Sequence, residues 1–442
     1  MTPFALALFL YYAYNGPESE RAFAAIAAAE PTNSMAYWGE ALAAGPDMNT
    51  PMTPDRFARG QSAIAKAVAA ESGASASERA LIDAMALRYH GSFADWDRDD
   101  AAYRRAMQRI AAQTGDAMAR DLTAEALLEH HDRDAALALV NAQLAADPND
   151  VMANHLCIHA GDEGNDHAAA VPCAQHLDAM TFLPKAEHLA HMPAHVWIET
   201  GAYAKAIASS ERAYLLFEAL KSDTARDPFH DRLEDHDVYV GYSAAMMLGN
   251  YAEAKVWSAR TSSAFDLPLG AFTALRFGRY QEAYALTQTP HFRDAAIRGL
   301  AALRLGKIGQ ARAMRSQLGN ATGDSTDLFL ARLAEYDGKI SDAYRTLDHL
   351  AAYQKNAFAG EMIPLWPALV ARGGLALRQH DYSKAAAAFR QDLAAYPRDP
   401  RALFGLAAAL DGLGEASAAQ DARAIFTGVW AGSDTTLTVD DL

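Results

Sequence analysis

Six copies of one short pattern constrain the fold of this 442-residue chain more than any other feature. Each copy has a small residue, an aromatic or aliphatic residue two positions later, and an alanine three positions after that. The copies begin at Gly201, Gly249, Gly278, Gly306, Gly338 and, with histidine in the first place, His380. Glycine suits the tight turn that ends a helix, and alanine lets the next helix approach closely. The pattern therefore predicts a series of helix–turn–helix pairs.

The spacing of the copies scatters around the 34 residues of a tetratricopeptide repeat. Good helix formers dominate long stretches, and only the segment TTLTV at 435–439 is patterned like a β-strand. We therefore predict an all-α fold, a right-handed α-solenoid of tetratricopeptide-like helical hairpins. It is expected to form a single superhelical domain over 1–442, with N-terminal hairpins in 1–130, histidine-rich central hairpins in 131–260 and C-terminal repeats in 261–442.

Charge and hydropathy exclude several kinds of partner. The chain has 39 Lys and Arg against 55 Asp and Glu, a net charge of −16, which disfavours nucleic acid and anionic membranes. No apolar stretch reaches the roughly 20 residues of a membrane span. The apolar start, Met1–Tyr14, lacks the basic flank of a signal peptide and is interpreted as the first structural helix. The expected location is cytoplasmic as the sequence stands, or periplasmic if an export signal precedes it.

Common catalytic motifs are missing from the sequence. It has no dinucleotide-binding glycine motif, no phosphate-binding loop, no H-E-x-x-H and no nucleophile elbow. The two cysteines, Cys157 and Cys173, are too few for a disulfide scaffold or a four-cysteine zinc site. Two readings of this pair stay open, buried thiols or one disulfide in an oxidising compartment.

Histidine is concentrated in the middle of the chain, where nine of the 15 histidines fall between positions 155 and 236. His155, His159 and Asp162 are spaced i, i+4, i+7 and would share one helix face. His188, His191 and His195 are spaced i, i+3, i+7, but Pro193 is expected to kink or restart the helix between them. His167 and His176 are expected on a helix exterior.

This density favours a transition-metal site, because imidazole is the commonest metal ligand and helix pairs are a standard place to build such a site. Iron or copper is the expected cofactor, with zinc an alternative. The predicted ligands are His155, His159, Asp162, His188, His191, His195 and His236. Glu187 is predicted to orient an imidazole, and Tyr239 to stand near the reacting group. The competing interpretation is that these histidines only line a polar groove.

These histidine motifs resemble a family of bacterial tetratricopeptide-repeat proteins that carry IHA-x-E, HL-x-HMP-x-H and an HN-containing helix. The matching residues are 158–162, 188–195 and 236–239, and the similarity extends over nearly the whole chain, from 36–52 to 389–410. A weaker similarity exists to the animal tetratricopeptide repeat protein 38 type. The resemblance implies the fold and a histidine-lined site, but no particular reaction. The chain departs from the family at Asp162, where the family has Glu, and at Gly16 and Tyr239, where the family has His.

Three functions remain open from the sequence. The first is a metal-binding solenoid that acts as a metalloenzyme on a small molecule, as an oxidoreductase or less favourably as a hydrolase. The second is a scaffold that holds a peptide or protein in its concave groove without catalysis. The third is a metal-storage or metal-delivery protein.

Overall fold

A computed structural model describes residues 1–164, 166–182, 185–220, 229–260, 268–287, 291–357 and 363–442, and the side chains of 229–233 are not part of that description. Contacts group the chain into two compact units. The first unit comprises Met1–Val196 and Arg212–Leu233, and the second comprises Trp197–Glu211 and Glu234–Leu442. The single domain with a three-part division stays a prediction.

The described residues form helices joined by short turns, which confirms the all-α solenoid class. In the N-terminal half the helices are α1 (Pro3–Tyr12), α2 (Gly16–Ala29), α3 (Ser34–Ala43), α4 (Pro54–Ala70), α5 (Ala76–Arg88), α6 (Trp96–Thr114), α7 (Ala117–Leu128), α8 (Arg133–Ala146), α9 (Val151–Glu163), α10 (Val171–Ala179), α11 (Glu187–His191) and α12 (Pro193–Glu199). Consecutive helices such as α1 and α2, α3 and α4, and α7 and α8 pack against each other as pairs.

The later helices continue the same arrangement. They are α13 (Tyr203–Leu220), α14 (Phe229–Leu248), α15 (Tyr251–Arg260), α16 (Leu269–Arg276), α17 (Tyr280–Leu286), α18 (Phe292–Arg304), α19 (Ile308–Arg315), α20 (Asp324–Tyr336), α21 (Ile340–Ala357), α22 (Ala368–Arg378), α23 (Tyr382–Ala395), α24 (Pro400–Leu413) and α25 (Ala416–Val429). The predicted strand at 435–439 is wrong, because residues 435–438 have no regular structure and Val439–Asp441 form one 3₁₀ turn.

The six pattern copies occupy equivalent places in the structure. The first residue of each copy has a left-handed backbone, with φ between 57° and 76°. The aromatic or aliphatic residue begins the next helix, at α13, α15, α17, α19, α21 and α23. The alanine of each copy is fully buried. Glycine is favoured at the first position because other residues lose free energy in the left-handed region.

Three further turns have the same geometry but lack the sequence pattern. Tyr14, His131 and Gly414 have φ of 53°, 60° and 78°, and the next helix begins two residues later in each case. A fully buried small residue again lies five positions after each of them: Ser19, Ala136 and Ala419. The sequence pattern missed these copies because Gly16, Arg133 and Ala416 stand where the six recognised copies have tyrosine or isoleucine.

Candidate metal centre

The helix α9 places two histidines one turn apart in the interior of the first unit. Its N-terminus is capped by Asp150, whose side chain accepts a hydrogen bond from the Ala153 amide. His155 and His159 are 0% and 4% exposed. Because residues four apart lie on one face of a helix, both imidazoles point to the same side of α9.

A helix break supplies the third histidine. As the sequence predicted, the helix ends at His191 and a new one begins at Pro193. Proline fits the first turn of a helix, where its missing N–H is not needed. The break separates the three histidines of this segment. His188 contacts the histidines of α9, whereas His191 and His195 pack edge to face against each other, with ring centroids 4.6 Å apart.

The Nε2 atoms of His155, His159 and His188 converge. The Nε2 of His155 lies 3.1 Å from the Nε2 of His188 and 3.1 Å from the Nε2 of His159. One ring nitrogen from each of the three histidines lies within 4.8 Å of the other two. Tetrahedral ligands about 2.0–2.1 Å from a zinc ion would be roughly 3.3 Å apart. The spacing therefore suits three ligands of one transition-metal ion.

The backbone fixes which nitrogen of His155 faces this point. Its Nδ1 lies 2.9 Å from the carbonyl oxygen of Tyr12, and since a carbonyl only accepts, Nδ1 must carry the hydrogen. Burial, followed by the neighbouring His159, lowers the pKa of His155 well below its usual value, so the ring is neutral and Nε2 has a lone pair. One lone pair cannot bond well to two imidazoles at 3.1 Å, but a metal ion accepts electron pairs from all three.

Tyr14 and Asn49 complete the surroundings. The Tyr14 ring stacks on His159 and His188, with centroids 5.5 and 5.3 Å away, and lies 4.4 Å from the ring of His155. The Nδ2 atom of Asn49 is 3.5 Å from the Nε2 of His188, and its loop is held by Asp47, whose Oδ1 accepts from the Asn49 amide. Burial raises the pKa of Asp47 to about 6.

The other predicted site residues lie in several places. Asp162 is 3.1 Å from the Nδ1 of His167, and the expectation that His167 is exterior is wrong, since it is 8% exposed. Glu187 is buried at the start of α11, directly before His188. His236 and Tyr239 lie on α14 in the second unit. Their roles as ligands or catalytic groups stay predictions.

Cys157 lies on α9 between the two histidines and is bonded to Cys173 of α10. The two Cα atoms are 6.3 Å apart. Of the two readings that the sequence left open, the structure has the disulfide. The bond ties the histidine-bearing helix to its partner helix.

A second buried polar cluster of the first unit is an ion-pair network. The guanidinium of Arg88 binds Asp100 at 2.8 Å and Glu129 at 3.1 Å, and His130 lies 2.6 Å from Asp100. Burial acts to raise the pKa of Asp100, but Arg88 and His130 outweigh it and hold the pKa at about 2. Burial raises the pKa of Glu129 to about 8, so the single charge of Arg88 faces mainly the Asp100 carboxylate, and this cluster is explained without a metal ion.

Comparisons with known proteins find similarity in structure alone. No family profile and no curated protein matches the sequence. Solved tetratricopeptide-repeat structures that match include the APC/C heterotetramer Cut9–Hcn1 (TM-score 0.35, 10% identity, 82% of this chain and 80% of that chain). Yeast Tom70 matches with a TM-score of 0.33, 12% identity, and 81% and 93% coverage. The human IFIT1 dimer with PPP-AAAA matches with a TM-score of 0.34 and 11% identity, over 98% of this chain and 91% of that chain.

Proposed function

We propose that this protein binds one transition-metal ion through the Nε2 atoms of His155, His159 and His188. The observation that carries the proposal is the convergence of these atoms, with two separations of 3.1 Å, in a buried site. The Tyr12 carbonyl orients one ligand as second-layer partners do in known metal sites. Neutral imidazoles suit copper, iron and zinc, and we favour iron or copper.

We further propose that the metal serves the oxidation of a small molecule. Three protein ligands would leave a coordination position for a substrate. The three ligands are 0–4% exposed, and a site shielded from bulk water protects the reactive intermediates of redox chemistry from side reactions. The histidine motifs are also the basis for proposing membership in the bacterial tetratricopeptide-repeat family described above.

Metal analysis tests the binding proposal. Protein purified without chelator is dialysed against Cu(II), Zn(II) or Fe(II), and bound metal is counted by elemental mass spectrometry. We expect one equivalent in the wild type and a loss of at least tenfold in affinity in His159→Gln and His188→Gln, which keep much of the side-chain volume. His349→Ala is the matched control, because this histidine is 69% exposed on α21. Equal metal content in all four proteins would contradict the proposal.

A second candidate function is a protein-interaction scaffold. Tetratricopeptide-like hairpins stack so that the first helices of successive pairs form one continuous surface. In the second unit, α16, α18, α20, α22 and α24 contact one another in this order. A groove on this row contains both charged and apolar side chains.

In the part of the chain that the structure describes, no helix is long and apolar enough to cross a membrane.

A further inference from the structure

Four arginines lie on neighbouring first helices of the second unit. Arg276, Arg304 and Arg378 are the last residues of α16, α18 and α22, and Arg332 lies one turn before the end of α20. Three of these arginines stand two residues before the turn residue of their repeat, at Gly278, Gly306 and His380. Repeats in register place equivalent residues side by side, which explains the row.

The chain's own residues 438–442 lie along this row. The Nη1 of Arg276 donates to the Asp441 carbonyl at 3.0 Å, and the Nη1 of Arg378 donates to the Val439 carbonyl at 3.1 Å. Arg332 pairs with the Asp440 carboxylate at 3.2 Å. The arginines therefore bind both the backbone and the acidic side chains of the segment.

Asp441 is the most completely bound residue of the segment. Its Oδ1 accepts from the Tyr280 hydroxyl at 2.5 Å and pairs with Arg304 at 3.3 Å, while its Oδ2 accepts from the Thr438 hydroxyl at 2.7 Å. Burial acts to raise the pKa of Asp441, but these hydrogen bonds and Arg304 outweigh it and lower the pKa below its usual value. The carboxylate is 13% exposed, so this position recognises an anion.

Leu442 occupies an apolar place beside the arginines. It is 3% exposed and packs with Val370 and Leu377. A Cβ on Gly374 would lie 2.7 Å from the Leu442 Cβ, so glycine at 374 permits this close approach. Beside it lies a cavity of about 40 Å³, lined in part by Leu275, Leu300, Leu328, Leu347 and Leu375. The groove therefore has space next to Leu442 for a somewhat larger apolar side chain.

The charge of the row contrasts with that of the whole protein. Four arginines face Asp440, Asp441 and Glu335, in a chain whose net charge is −16. A basic groove on an acidic protein selects acidic segments and repels most others. A tethered segment holds its place by high effective concentration, even if its intrinsic affinity is modest.

We propose that this groove binds an acidic segment of a partner protein, two carboxylates followed by a large apolar residue, and that residues 438–442 occupy it as an intramolecular competitor. The proposal gives the scaffold function a partner class and rests on that function. It shares no residue with the metal centre.

The test is fluorescence anisotropy with a labelled synthetic peptide of residues 435–442 and the full chain. The double variant Asp440→Asn/Asp441→Asn weakens the binding of residues 438–442 to the groove and leaves the four arginines unchanged. We expect this variant to bind the peptide about tenfold or more tighter than the wild type, because the wild-type segment competes at millimolar effective concentration. Leu442→Ala removes the apolar anchor but keeps the charges, and should act in the same direction if the double variant fails to fold.

Controls locate the peptide in the groove. Adding Gly374→Ala to the opened variant should abolish binding, whereas Gly309→Ala, on open helix surface, should have no effect. A peptide with both aspartates replaced by asparagine should not bind. Failure of both opened variants to bind, with native circular dichroism, would overturn the proposal, as would binding that Gly374→Ala leaves unchanged. His159→Gln and His188→Gln, added to the Asp440→Asn/Asp441→Asn variant, should bind the peptide as that variant does. Loss of metal binding and loss of peptide binding are therefore separate outcomes.

Discussion

At the scale of single residues, the proposed metal centre depends on how Tyr12, Tyr14 and Asn49 surround three imidazoles. The Tyr12 carbonyl fixes the tautomer of His155, and the Tyr14 ring stacks on the rings of His159 and His188. Tyr14 also has φ of 53°, a conformation that costs a non-glycine residue roughly 1–2 kcal/mol. The packing around the ring must offset this cost, which links the turn to the centre.

Tyr14 should therefore affect metal affinity through its ring. We expect Tyr14→Ala to weaken metal binding about tenfold or more, because the imidazoles lose the surface that holds their orientation. Tyr14→Phe should change the affinity less than about threefold, since it retains the stacked ring. Competition with a chromophoric chelator measures both. Equal affinities for Ala and Phe at position 14 would show that the ring has no such role.

Asp121 makes the stability of the first unit depend on pH. It is 3% exposed on α7, and burial, with Asp150 and Asp116 adding to it, raises its pKa to about 8. In the unfolded chain the carboxyl loses its proton near pH 4. Between these values the folded state binds more protons than the unfolded state, so stability falls as pH rises from about 4 to about 8.

Asp121→Asn should remove that dependence. The variant should be more stable than the wild type at pH 7.5, and the difference should shrink towards pH 4, where the wild-type side chain is neutral in both states. Urea unfolding at the two pH values measures this. A variant that is less stable than the wild type at pH 7.5 would contradict the assignment.

At the scale of helices and turns, the left-handed turn residue is the device that the repeats share. The pattern of glycine, aromatic residue and alanine predicted six of these turns and the start of each following helix. The proline at 193 separately predicted the helix break at that position. The pairing of His188 with α9 instead of with His191 could not be predicted, because it depends on how two helices far apart in sequence pack.

Two further features of the sites could not be predicted from the sequence, for different reasons. Tyr14 reaches the centre from more than 100 residues away, and nothing local in its sequence indicates that contact. The arginine row is visible as Arg two residues before the turn of three repeats. This spacing does not predict a binding site by itself, and the site becomes evident only because residues 438–442 bind the arginines in the structure.

Gly306 isolates the free-energy cost of the turn. Its φ is 73°, and an added Cβ would meet no atom within 4 Å. Gly306→Ala should therefore destabilise the second unit by about 1–2 kcal/mol through backbone strain alone. Gly309→Ala, three residues later on α19 and equally open, should be neutral or stabilise by about 0.5–1 kcal/mol. Thermal unfolding of the pair measures the difference, and equal effects would contradict the shared turn geometry.

The disulfide between α9 and α10 should stabilise the first unit. It closes a loop of 16 residues, and a loop of that length corresponds to about 3 kcal/mol. We expect Cys157→Ser/Cys173→Ser to lower the free energy of unfolding by about 2–4 kcal/mol. The wild type in reducing agent should match the variant. If alkylation of the unreduced, unfolded wild type labels both thiols, the disulfide is absent.

At the scale of the whole molecule, each proposed site belongs to one unit. The three histidines and Tyr14 lie in the first unit, and the four arginines with residues 438–442 lie in the second. Each unit has a hydrophobic core, one including Trp38 and Met85 and another including Phe389 and Leu410. The two proposed sites thus rest on one kind of repeat, and they differ because the side chains at these places differ between the units.

The central claim is that one metal ion lies between His155, His159 and His188. The most direct measurement is an anomalous difference map from crystals of the protein loaded with Cu(II) or Zn(II), collected at the absorption edge of the metal. We predict one strong peak about 2.0–2.1 Å from all three Nε2 atoms. A metal peak bound elsewhere, with these three histidines linked only to one another or to water, would contradict the account.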